Sequence, residues 1–140
     1  MTMQEQVQVY RDDLNLFDDN DGKLDYILGY SKEAIVLDAD KKIEENIVHG
    51  CSSLAWLVKK CINGKVVLEG ESDSIIGKGM MVILLTIFNN RTADEILSFD
   101  PKYLMEIGVV ELLSPVRQQG MEAFLNLIYN YAAQCREERP

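Results

Sequence analysis

The chain is poor in the residues that interrupt or staple a fold. Its 140 residues include three prolines, three cysteines, one histidine and one tryptophan. With so few prolines and no Gly- or Ser-rich stretch there is no candidate linker, so residues 1–140 read as a single domain. A domain of this length buries roughly 68–70% of the surface its unfolded chain exposes, enough to hold together without a disulfide or structural metal. Long apolar runs are missing too. The most apolar segment, MMVILLTIF, is nine residues long and too short to span a bilayer, so no membrane role is expected. The opening MTMQEQVQVYRDD lacks the basic and then apolar regions of a signal peptide, and an odd number of cysteines points to a reducing cytoplasm. Basic charge is also scarce, with 14 Lys and Arg against 23 Asp and Glu. A net charge of −9 excludes nucleic acid as the expected partner, because phosphate binding needs a concentrated basic surface.

Acidic charge, by contrast, is abundant and local. Residues 1–50 carry 12 acidic and 5 basic side chains, a net −7 that leaves −2 for the remainder. The cluster RDDLNLFDDNDGKLD reads as a solvated face. A calcium loop fails on spacing: with Gly22 at the sixth position, the first ligand would be Phe17 and the closing carboxylate Leu28.

The apolar periodicity divides the chain. Val7, Tyr10, Leu14 and Phe17 step by three and four and predict a first helix; Leu24, Ile27, Leu28 and Ile35 predict a second. Residues 37–46 read as a connection. LAWLVKKCI and KVVLEGES flank Asn63-Gly64, a strong hairpin signal. Ile76, Gly79, Met80, Ile83, Leu84 and Ile87 predict a central helix. Thr92 and Glu95 form a capping box, Asp100-Pro101 opens a short helical piece, and Ser114-Pro115 starts a last helix with Met121, Phe124, Leu125, Ile128, Tyr131 and Cys135 on one face. Adjacent strands segregated from helices imply an α+β fold, a small antiparallel sheet of about three strands packed against helices.

Few residues are candidates for chemistry. Cys135 lies on an apolar helical stripe and Cys61 in a strand, so both read as packing residues. The spacing C-x9-C-x73-C with a single histidine matches no metal site. The glycines of Gly77–Gly79 lack the spacing of a phosphate-binding loop and fit helix packing better. Cys51 differs: it follows Gly50, precedes two serines and lies outside the strand that begins near Leu54. A small thiol at a Gly-hinged loop tip presents a nucleophile better than it stores apolar bulk. A Cys/His hydrolase would need His49 as base and a third group to orient it; an exposed loop histidine is the plainer reading of His49.

NIVHGCSSLAWL resembles the N-x-V-x-G-C-Q-S-x-V-W-L signature of the SufE family. The resemblance continues in register. GESDSIIGKG resembles G-x-S-D-x-x-I-x-x-G, TADEIL resembles T-P-x-E-I-L, and LLSPVRQQGMEAF resembles L-S-P-S-R-x-x-G-L-x-A-M. Together these cover residues 46 to about 125. Ser52 stands where the pattern has Gln and Ala93 where it has Pro, and residues 1–45 match loosely.

The resemblance implies an α+β fold like that of the NifU and IscU scaffolds, and a sulfur acceptor for iron–sulfur cluster assembly that needs no cofactor or metal of its own. It implies that Cys51 takes sulfane sulfur from the persulfide of a PLP-dependent cysteine desulfurase and passes it to a SufBCD-like scaffold. Arg117, which matches the S-P-x-R motif, and His49 are the candidate cations beside Cys51, with Gly50 as its hinge. Asp73 matches a family position and reads as a loop or helix-cap residue. The alternatives are a cluster scaffold of the related fold, or a desulfurase regulator that carries no sulfur. The sequence leaves open whether the protein forms a homodimer.

Overall fold

The structure, a computed structural model, describes residues 1–51 and 53–138. Two helices lead, α1 (Met3–Leu14) and α2 (Asn20–Gly29). Thr2 caps α1 in a capping box with Glu5, and the residues α1 buries are Met3, Val7, Tyr10 and Leu14. The acidic stretch has local uses: Asp19 caps α2 at the Gly22 N–H, and Asp13 accepts a hydrogen bond from Tyr26 at 2.7 Å. Both helices are shorter than the periodicity predicts. Phe17 follows the end of α1, and Ile35 lies exposed beyond α2, because the chain tightens into a 3-10 turn at Tyr30–Glu33 and then extends.

The hairpin forms as expected, with β1 (Ala55–Ile62) and β2 (Lys65–Ser72) antiparallel from Ala55 opposite Ser72 to Ile62 opposite Lys65. Asn63 and Gly64 take φ of 53° and 78°, the pair of left-handed residues that a two-residue turn matching strand twist requires. A third strand, β3 (Arg91–Thr92), is only two residues long and pairs with Lys65 and Val66, giving the order β1-β2-β3. Residues 37–46 bind the outer face of the hairpin through Lys41–Glu69 and Lys42–Glu71 ion pairs, with Lys42 5.3 Å above the Trp56 ring.

On the inner face lies α3 (Ile75–Phe88), capped by Ser74 and packed against α1, α2 and β2. Ile83, Ile87 and Phe88 are fully buried, each contributing about 1.5–3 kcal/mol by transfer from water. The glycine pattern is about packing: a Cβ on Gly79 would collide with the Ile27 carbonyl of α2. Short helices α4 (Ala93–Ser98) and α5 (Lys102–Met105) follow. The Thr92–Glu95 capping box is present, and the N–H of Ala93 donates to the Gly64 carbonyl at 3.3 Å, a bond that proline could not make. Finally α6 (Pro115–Glu137) is capped by Ser114, with proline in its first turn, and buries Phe124, Leu125, Ile128 and Cys135. The buried residues form a cluster running from Met3 to Cys135.

Cys61 and Cys135 are joined in a disulfide between the end of β1 and the end of α6, with Cα atoms 5.6 Å apart. The expectation of two separate packing residues is therefore corrected. Burial is as read for Cys135, which is fully buried, but the thiols are paired across 74 residues of sequence. The odd cysteine count reflects one pair and one free thiol, so it does not bear on a reducing compartment. No helix among the described residues is long and apolar enough to cross a membrane.

Candidate functional site

Cys51 is the free cysteine, and its loop is closed at the base from two directions. Ile47 bridges to Trp56, and the Val48 N–H donates to the Ala55 carbonyl at 2.9 Å. On the other side, Asp73 and Leu54 exchange two bonds: Leu54 N–H to Asp73 Oδ1 at 3.1 Å, and Asp73 N–H to the Leu54 carbonyl at 3.0 Å. Of the described residues between these ties, His49, Gly50, Cys51 and Ser53 lie outside the ladder and form the tip. Gly50 has φ +95°, a backbone state that favours glycine, and a Cβ there would come within 3.3 Å of the Ala123 side chain.

The tip turns inward. Cys51 is half-buried against α6, its S–H donating to the Gly120 carbonyl at 3.7 Å. It opens onto a cavity of about 80 Å³ between the hairpin and helices α3 and α6, lined by Ala55, Ile76, Met80, Leu84, Met121 and Phe124 among others. Burial pushes the Cys51 thiol above its ordinary range, and the positive charge of Arg117 opposes this without overcoming it.

Arg117 lies in the first turn of α6, where the Ser114 cap receives its backbone N–H at 3.3 Å. Its guanidinium donates from Nη1 to Ser74 Oγ at 3.1 Å and to Ser53 Oγ at 3.4 Å. It therefore links the Cys51 loop, the start of α3 and the start of α6. Its partners are hydroxyls, not the loop carbonyls that a purely structural arginine would satisfy, and it has no carboxylate partner among the described residues.

The other sequence candidates divide. Asp73 is a clip at the base of the loop, and the cap of α3 is its neighbour Ser74. His49 is exposed in the turn with no hydrogen bond or ion pair among the described residues, and the charge that acts on Cys51 is Arg117. Ser52 lies outside the described residues. Gly120 is the glycine of the LLSPVRQQGMEAF motif but had no role in the sequence reading, although it stands one turn beyond Arg117 and so on the same face of α6. No three His, Cys, Asp or Glu side chains among the described residues could hold a metal ion. Cys135 stands 15 residues along α6 from Gly120, about 22 Å, so the disulfide is remote from Cys51.

Fold and site together define an α+β protein with one free thiol turned into an apolar cavity beside an arginine. The same fold is found in a solution structure of a hypothetical protein from Thermus thermophilus. That likeness has a TM-score of 0.74 at 16% identity and covers 96% of this chain and 98% of the other; at that identity it concerns the fold alone. The family model SufE, an Fe-S metabolism associated domain, matches residues 8–132, and the chain belongs to that family.

Proposed function

We propose that the chain acts as one sulfur-carrying domain in which Cys51 accepts sulfane sulfur from a PLP-dependent cysteine desulfurase. The reading rests above all on the free thiol turned inward beside Arg117, a half-buried cation with no carboxylate partner among the described residues. Such a cation is suited to an anion that appears during the reaction, a thiolate or persulfide at Cys51.

The transfer is a thiol exchange. Cys51 loses its proton to solvent, and the thiolate attacks the terminal sulfur of the donor persulfide. A bond forms between Cys51 Sγ and that sulfur, while the donor's own S–S bond breaks and its cysteine leaves as thiolate, which takes up a proton. One thiol and one persulfide enter, and one of each leave, so no oxidant or reductant is needed. The sulfur then moves by the same exchange to a SufBCD-like scaffold. Docking has an apolar surface to use: exposed Val116 lines the cavity, and exposed Leu54 and Ile75 are chain neighbours of residues that line it. A cluster scaffold would need several converging ligands, whereas Cys61 and Cys135 are joined to each other, Cys135 lying about 22 Å along α6 from the Gly120 that Cys51 touches.

The test is to incubate the protein with a cysteine desulfurase and free cysteine, then weigh it intact. Wild type gains sulfur on Cys51, and Cys51→Ser gains none while keeping its melting temperature. Iron and colour would indicate a scaffold; a faster desulfurase with no mass gain would indicate a regulator. Persulfidation of Cys51→Ser at the wild-type rate would overturn the assignment.

A further inference from the structure

α6 is continuous and well capped, yet it carries a glycine in its second turn, where alanine would favour the helix. Nothing in the helix itself asks for it. Gly120 lies well inside α6 and is buried. The reason lies across the interface: a Cβ on Gly120 would have as its three nearest atoms Cys51 Sγ at 3.0 Å, Cys51 Cα at 3.5 Å and Cys51 Cβ at 3.7 Å. The thiol occupies the space a side chain would fill, and the bared Gly120 carbonyl receives its S–H.

We propose that Gly120 is a positioning residue for Cys51, a notch in α6 whose depth sets how far the loop tip is held inward. The proposal deepens the sulfur-carrier reading by naming what controls access to its thiol, and it rests on that reading for its purpose. A sulfur to carbon distance of 3.0 Å is tighter than ordinary contact, so one partner must give by a few tenths of an ångström. The helix is fixed by its ladder and cap, whereas the tip between Val48 and Leu54 is hinged at Gly50. The tip is the part that yields, and the thiol moves toward water.

Gly120→Ala should therefore speed iodoacetamide labelling of Cys51 by roughly threefold or more, because reactivity follows exposure and thiolate fraction. The pH profile of labelling should shift to lower pH as burial is relieved. A glycine that only packs helices would move neither. Gly29→Ala serves as the control, since an added Cβ there meets nothing within 4 Å, and it should label as wild type. Stability supplies a second measurement. With Cys51→Ala the collision is absent, and Gly120→Ala should raise the melting temperature by about 3 °C through helix propensity. In the presence of Cys51 that gain should be smaller or reversed.

Wild-type labelling rate and pH profile in Gly120→Ala would overturn the proposal. So would a variant that unfolds in both backgrounds, because the added Cβ would then be meeting something other than Cys51. These measurements need no desulfurase. The notch can therefore fail while Cys51 still gains sulfur, and the carrier reading can fail while the notch holds.

Discussion

Reduction of the Cys61–Cys135 bond should cost the protein a large part of its stability. The bond closes a loop of sequence separation 74. In the chain-entropy treatment, a link of that length removes enough freedom from the unfolded chain to stabilise the fold by about 4.5 kcal/mol at 25 °C. With about 2.1 cal/mol/K of unfolding entropy per residue, a chain of this size should lose about 15 °C in melting temperature. Both cysteines sit on regular elements, and Cys135 is fully buried, so the folded structure should tolerate the reduced pair as two packed thiols.

The assay has two arms. Thiol titration of denatured, unreduced protein should count one reactive group, Cys51, and three after treatment with a dithiol. Thermal melts followed by circular dichroism, with and without the dithiol, then give the shift. Cys51 labelling in the folded state should not change, because the bond lies about 22 Å along α6 from Gly120. Three free thiols in air-oxidised protein would refute the pairing. Melting temperatures within about 3 °C of each other, with the bond shown to be present, would refute the loop-entropy reasoning.

Two other perturbations test the site and its frame. Arg117→Ala should move the labelling profile of Cys51 to still higher pH, since the cation that lowers its pKa is gone, and should slow sulfur acceptance; Lys102→Ala, an exposed cation on α5, should do neither. Equal and negligible effects from both would remove Arg117 from the site. Gly79→Ala should destabilise by about 1–3 kcal/mol in chemical denaturation, because the Ile27 carbonyl it would strike is backbone and cannot rotate away. A neutral result there would mean that α2 and α3 can separate at no cost.

What could be read in the sequence was what short-range chemistry decides. Asn63-Gly64 needs positive φ at both residues, and few turns other than a hairpin use that pair. Thr92 with Glu95, and Ser114 with Pro115, each satisfy helix-end groups within four residues, so those starts were readable without tertiary information. The ends of α1 and α2 were not, because apolar residues keep the helical rhythm at Phe17 and Ile35 after the backbone has left the helix. β3 is two residues long and exists only because Lys65 and Val66 offer an edge. Cys51 stood out because it lies outside any apolar pattern. The Cys61–Cys135 pair and the Gly120 notch did not, since each depends on which residues α6 meets across the fold.

The site sets two opposing influences on one sulfur. Burial against α6 favours the neutral thiol, and Arg117 favours the thiolate; burial has the larger effect. On the proposed reading that order makes the resting protein unreactive toward small electrophiles and small thiols, which matters for a carrier whose persulfide would otherwise be discharged on first contact. It also shows what docking must change. Leu54 is tied to Asp73 and Val48 to Ala55, so the strands need not move. Only the short tip between them has to turn about Gly50. Turning it outward removes the desolvation that keeps the thiol protonated, while Arg117, held by the Ser114 cap and by Ser74, stays at the mouth of the cavity. On the proposed reading the balance then shifts toward the thiolate without any new charge being supplied, and the motion that presents Cys51 to a donor persulfide also lowers its pKa. Exposure and activation become one event.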